Sequence, residues 1–258
     1  MCGRYATTRG AADLSALFES YDETGDRLAA DYNVAPTDPV PIVRMVTDAG
    51  ASATGVEASE QAADDNPRRV LSVARWGLVP AWAKDARGAA RMINARAETV
   101  ATTNAYARSF ARRRCLVPAD GWYEWVRQDS GAKQAYYLTP ADGGVLAFAG
   151  LWSLWGDGSE TLLTCSVVTT AALGDLALVH ERMPLILPPQ RWSTWLAGDG
   201  EPDELLAPPG DETLAGIEIR PVSNRVGNVR NDGPGLLERV AAAPLGSPPP
   251  GHIDLTLF

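Results

Sequence analysis

Cys2 sits in "MCGRYA", directly behind the initiator methionine, and that position gives it chemistry no internal cysteine has. Once Met1 is removed, the residue carries a free α-amine and a thiol on adjacent carbons. An α-amine has a reference pKa of about 7.7–8.0, so a useful fraction is neutral near pH 7, unlike a lysine amine at about 10.4. Such an amine condenses with an aldehyde to a Schiff base. The neighbouring thiol can then attack the imine carbon and close a five-membered thiazolidine, an intramolecular step with little further entropic cost. The same pair also fits an N-terminal nucleophile hydrolase, in which the amine is the base for its own thiol against an amide. A third reading is an incidental cysteine at a loose terminus.

Other stretches carry groups that could serve a reaction. In "INARAET", Asn94, Arg96 and Glu98 share one face if the segment is extended. An amide, a guanidinium and a carboxylate in a row suit a wall facing a phosphate or sugar, although a turn role for Asn94 fits too. In "ADGWYEW", Glu124 stands among Trp122, Tyr123 and Trp125. Partial desolvation there would raise its pKa toward acid–base use, whereas an outward-facing position would leave it solvated. His180, in "VHERMPLIL", is one of two histidines, and the other, His252, lies in a Pro-rich tail. That makes His180 the candidate for proton transfer near pH 7. Trp76 and Trp82 flank the turn in "WGLVPAWAKD". Exposed tryptophans beside cations stack on unpaired bases, and buried ones build cores.

The net charge of -9 hides an asymmetry. Lys84 to Arg114 holds eight basic residues and two acids, a local excess of +6. Two stretches, Asp48–Asp65 and Asp199–Glu212, hold five and six acids with no base. Local potential rather than net charge steers a polyanion, so the basic stretch is a candidate nucleic-acid face or a merely solvated one. Three cysteines without CxxC spacing argue against a disulfide framework or zinc ribbon, fit a reducing compartment, and two histidines argue against a histidine-rich metal site. No metal or cofactor is expected. Neither a membrane span nor a leader peptide is read.

These groups need a scaffold, and the pattern predicts one. Helices are expected over 11–20, 102–114 (with a basic face), 171–180 and 188–198. Strands are expected over 39–46, 70–76, 144–155, 161–170 and 216–223, with a strand, a Pro-Ala-Asp-Gly turn and a strand over 115–126. Residues 47–69 lack an apolar period and read as a flexible loop insertion. Many strands with few helices predict an α+β fold, one domain over 2–240 with a largely antiparallel, barrel-like sheet and a tail over 241–258.

Taken in order, "MCGRYA", "YNVAPT", "WGLVPAWA", "INARAET", "CLVPADGWYEW", "VHERMPLIL" and "NDGPGL" resemble the SOS response-associated peptidase (SRAP) family from residue 2 to about 235. The resemblance implies the SRAP fold and a protein that binds single-stranded DNA and cross-links to abasic sites; a monomer in the cytoplasm is expected. Cys2 would supply the nucleophile and amine, Asn94 would hydrogen-bond at the reacting centre, and Glu124 would orient the amine. His180 would act as acid or base on the opened deoxyribose. Arg4, Arg96 and Arg182 would touch phosphates, with Arg114 also on the DNA side and Trp76 stacked near the lesion. The family's name keeps open an amide-hydrolase alternative using Cys2, Glu124 and His180. A non-covalent reader of modified DNA would need the cations but not Cys2. The insertion at 47–69 stands outside the motifs.

Overall fold

The computed structural model describes residues 2–46, 67–128, 131–156, 161–198, 200–242 and 245. Among these, β4 (Pro39–Val46), β5 (Arg68–Trp76), β7 (Arg114–Ala119), β10 (Leu146–Trp155) and β11 (Leu162–Ala171) form a ring. Neighbours along β11-β10-β7-β4-β5 are antiparallel. A parallel pairing of Arg75 with Thr164 and Trp76 with Cys165 joins β5 back to β11 and completes the barrel. Period-2 alternation fills it: Val40 and Ile42, Ala74 and Trp76, Cys115 and Val117, Phe148, Cys165 and Val167 make one buried cluster. The opposite faces, through Val43, Leu71, Leu116 and Leu151, pack under α1 (Ala11–Phe18) and α3 (Pro189–Ala197) by way of Leu14, Phe18, Trp192 and Trp195.

A second sheet runs β13 (Ile217–Val222), β9 (Lys133–Pro140), β8 (Gly121–Arg127), β1 (Tyr5–Thr7) and β3 (Asp31–Val34), antiparallel throughout. The chain leaves the barrel for this sheet at one residue, Asp120. Its backbone N–H donates to Ala6 O, its carboxylate accepts from the N–H and hydroxyl of Thr8 at 2.6 and 2.7 Å, and its carbonyl accepts from Thr139 Oγ1. Gly121 follows because a Cβ there would lie 2.4 Å from Leu138 O. The expected strand–turn–strand is therefore two strands in different sheets, and Pro118 and Ala119 belong to β7 rather than to a turn.

Two short strands lie along the C-terminal part of β11. β6 (Asn94–Arg96) pairs with it in parallel, Asn94 opposite Val167 and Arg96 opposite Thr169. β12 (Arg182–Pro184) pairs antiparallel, Pro184 opposite Thr169. The helix expected over 102–114 is shorter: α2 spans Ala107–Arg112, turns precede it, and Arg114 already belongs to β7. The segment 171–180 forms a 3₁₀ turn, Gly174–Leu178, rather than a helix. Of the expected insertion, residues 47–66 lie outside the described residues, and Arg68 and Arg69 already belong to β5. The tail from 246 onward also lies outside them. Among the described residues, no helix is long and apolar enough to cross a membrane. The architecture is α+β, sheet-rich and largely antiparallel, with short helices around a ring-like sheet.

Candidate active site

β1 delivers Cys2 to the junction of the two sheets. Tyr5 pairs with Trp122 and Ala6 with Gly121, and Tyr123 N–H donates to Arg4 O at 2.9 Å. The same register brings Gly3 to the level of Glu124. From the barrel side, Asn94 Nδ2 donates to Cys2 O at 2.6 Å. Asn94 is itself fixed: Tyr106 Oη donates to Asn94 O at 3.0 Å, and Trp76 Nε1 donates to the preceding carbonyl, Ile93 O, at 3.0 Å. Asn94 Oδ1 and Tyr5 Oη are buried with no hydrogen-bond partner among the described residues.

Burial sets the electrostatics. Glu124 is 4% exposed, and burial pushes its carboxyl up to about 7. At neutral pH it can therefore both give and take a proton. The Cys2 thiol is raised well above its ordinary value, first by burial and then by the negative charge of Glu124. His180, half-buried just before β12, accepts the Arg182 backbone N–H at Nδ1 (2.9 Å), so the neutral ring carries its proton on Nε2. Burial lowers its pKa as well.

Residues 1–229 match the family model described as SOS response associated peptidase (SRAP). The chain belongs to the SRAP family. Abasic site processing protein YoqW of Bacillus subtilis is 30% identical over 251 residues, 92% of this chain and 99% of YoqW. YedK of Escherichia coli, named likewise, is 30% identical over 246 residues, covering 93% of this chain and all of YedK. HMCES of Xenopus tropicalis, again an abasic site processing protein by name, is 29% identical over 274 residues, covering 91% of this chain and 77% of HMCES. A crystal structure of a Bacteroides thetaiotaomicron protein shares the fold, with a TM-score of 0.73 at 22% identity over 93% of this chain and 100% of that one.

The INARAET and VHERMPLIL segments meet on β11. Arg182 sends its two terminal nitrogens to the Glu98 carboxylate at 2.5 and 2.9 Å, and Nη2 also donates to Thr169 O at 2.6 Å. Because Thr169 is flanked by Arg96 on one side and Pro184 on the other, this clamp ties β6 to β12 across β11. Asn94 and Arg96 share the face expected of them, with Ala95 buried behind, but the strand ends at Arg96 and the third expected member, Glu98, lies in the turn that follows. Arg96 is exposed at the edge of the site. Cys2 and Asn94 thus meet directly, Glu124 lies near enough for its charge to act on the Cys2 thiol, and His180 is held by the Arg182 backbone.

Two expected DNA contacts are corrected. Trp76 is 0% exposed and packs edge-on against Tyr5 at 5.0 Å, so it is a core residue and cannot stack on a base. Trp82, on the other side of the same turn, is 65% exposed. Arg114 is buried, donating to Trp195 O and Phe110 O at 2.8 and 2.6 Å and stacking on both rings, so it braces α2 and α3 rather than meeting DNA. Gly198, which ends α3 with φ 87°, leaves room for it: a Cβ would lie 2.5 Å from Arg114 Nη2. Arg4 is engaged with Asn33 Oδ1 and Val226 O at 2.5 and 2.9 Å, a strut between β1, β3 and the turn after β13. Of the basic stretch, Lys84, Arg87, Arg91, Arg96, Arg108 and Arg112 are exposed. Sequence reading missed Tyr106, whose one visible signal is an aromatic residue inside a basic segment.

Proposed function

We propose that this protein captures abasic sites in single-stranded DNA covalently, through Cys2 after removal of Met1. The observation that carries the reading is the Asn94 amide on the Cys2 carbonyl, which fixes the amino-terminal residue beside a carboxyl tuned to about 7. Relatives named for abasic-site processing align with more than nine-tenths of this chain, and the six exposed cations between Lys84 and Arg112 suit a DNA backbone.

An abasic site exists partly as a ring-opened aldehyde. His180, with its proton on Nε2, assists ring opening. The neutral α-amine of Cys2 adds to the aldehyde carbon to give a carbinolamine. Glu124 takes the proton that the amine releases and returns it to the departing hydroxyl, so one water leaves and an imine forms. The Cys2 S–H then adds across the C=N bond: sulfur bonds to carbon, and the proton ends on nitrogen. The product is a thiazolidine that links protein to DNA with net loss of one water. Arg96, a cation at the rim, contacts phosphate without reading sequence.

Amide hydrolysis, the chemistry in the family's description, draws on the same residues but needs a thiolate. Burial and Glu124 hold the Cys2 thiol protonated, which favours carbonyl capture. The test is a denaturing gel of wild type and Cys2→Ala with single-stranded DNA carrying one abasic site. Wild type is expected to give a stable shifted band. Cys2→Ala keeps an α-amine but no thiol, so it is expected to yield only an adduct that requires borohydride trapping. A full-strength untrapped adduct in Cys2→Ala would overturn the thiazolidine.

A further inference from the structure

The barrel opens where β11 begins. Leu162 and Val167 are five residues apart on that strand, about 17 Å at the usual rise, so the opening is well separated from the Asn94–Cys2 contact. There β5 and β11 part below the Arg75–Thr164 pair and leave a cavity of about 420 Å³. Arg27, Arg44, Arg75, Thr37, Ser72 and Glu23 line it. Three guanidiniums face one carboxylate, so the lining carries a net +2.

Arg44 is the unusual member. It follows Val40 and Ile42 on the inward face of β4 and is 5% exposed. Its Nε donates to Ser72 Oγ at 3.2 Å, its guanidinium lies 5.1 Å over the Trp152 ring, and Nη2 stands 3.7 Å from Glu23 Oε2. That carboxylate is shared with Arg68 at 4.0 Å. A guanidinium keeps its charge and offers five donors. One neutral hydrogen bond, a ring face and a shared carboxylate beyond hydrogen-bond distance offset only part of what its burial costs. Arg75 adds a half-buried cation whose side chain makes no hydrogen bond or ion pair among the described residues. Beside these, Ala74, Leu154 and Leu163 give the cavity an apolar wall.

We propose that this cavity is an anion site for the phosphomonoester group of a small phosphorylated ligand. The dianion would answer the +2 of the lining, with guanidiniums supplying paired donors to its oxygens, and the apolar wall would take the body of the ligand. This assignment is independent of the chemistry at Cys2.

Isothermal titration of the full chain with inorganic phosphate and with adenosine 5′-monophosphate, at ionic strength held constant with chloride, tests it. One-site saturable binding is expected. Arg75→Ala, which keeps the buried Arg44 and the fold, should weaken it at least tenfold, with an unchanged melting temperature showing that the variant is folded. Glu23→Gln, by removing the competing carboxylate charge, should tighten binding severalfold. A tighter mononucleotide identifies the ligand as nucleotide-like, and tighter inorganic phosphate identifies the free ion. No saturable heat from either up to about 10 mM, a range that reaches binding as weak as about -3 kcal/mol, would overturn the proposal. Equal affinity in wild type and Arg75→Ala would do so as well.

Discussion

The two ends of β11 bury charge in opposite ways. At the C-terminal end the buried group is a carboxyl, Glu124, and burial answers by moving its pKa to about 7, where it can pass protons. At the other end the buried group is a guanidinium, Arg44, which cannot lose its proton and must instead be balanced by neighbours and by whatever anion enters. Burial thus leaves one place with a group that can change its protonation state near neutral pH and the other with a fixed positive charge. The ends also differ in construction. The reactive end joins β1 and β8 of one sheet to β6 and β12 on the barrel, whereas Arg44, Ser72 and Trp152 all come from barrel strands.

The sharpest way to break this contrast is to remove the titratable group. Glu124→Gln is expected to slow cross-linking by about 100-fold and to abolish the limb of the pH–rate profile near 7. A profile that keeps this limb would mean that another group sets it. The same variant has a thermodynamic signature. Between pH about 4.5 and 7 the folded chain keeps a proton on Glu124 that the unfolded chain has released, so wild-type stability from this group falls as pH rises through that window. Relative to wild type, Glu124→Gln should therefore gain stability across it, up to about 3 kcal/mol, and level off above it in urea melts.

A smaller effect is expected from the group that holds Cys2 in place. Asn94→Ala removes the 2.6 Å bond to the Cys2 carbonyl and should slow cross-linking about tenfold with little change in DNA affinity. Equal losses in rate and affinity would point to a binding role instead. Arg96→Glu should weaken single-stranded DNA binding alike for all sequences and reduce the salt slope by about one. A loss that depends on the bases around the lesion would contradict a phosphate contact. The smallest effect belongs to a thiol between the two ends. Cys115→Ala should cost about 1–2 kcal/mol of stability and leave the cross-linking rate within about twofold, because burial alone does not make a cysteine reactive.

How far the sequence was legible follows the same division. Cys2, Asn94 and Glu124 could be singled out as candidates from residue type and local pattern, but each also has a bland reading, and only the resemblance to the SRAP motifs attaches roles to them. Trp76 and Arg114 could not be placed so, since a tryptophan or arginine beside cations looks the same whether it faces the core or the solvent. Only the barrel closure, with Trp76 opposite Cys165, turns Trp76 inward. The strands over 39–46, 144–155 and 161–170 were legible because they carry long β-branched or apolar runs. The three-residue strands β6 and β12 were not, because docking on β11 rather than local propensity forms them. Arg44 left a readable trace, a cation in register with Val40 and Ile42 on an inward face, but nothing in "PVPIVRMV" reveals the cavity in front of it.

The central claim is that the linkage forms on the amine and thiol of Cys2. The most direct test is intact mass spectrometry of the protein before and after reaction with a short single-stranded oligonucleotide containing one abasic site. The account expects free protein lacking Met1, an adduct heavier by the oligonucleotide less one water, and survival of that adduct without borohydride. Met1-free protein that forms no adduct would contradict it, as would an adduct mapped by peptide sequencing to any residue other than Cys2.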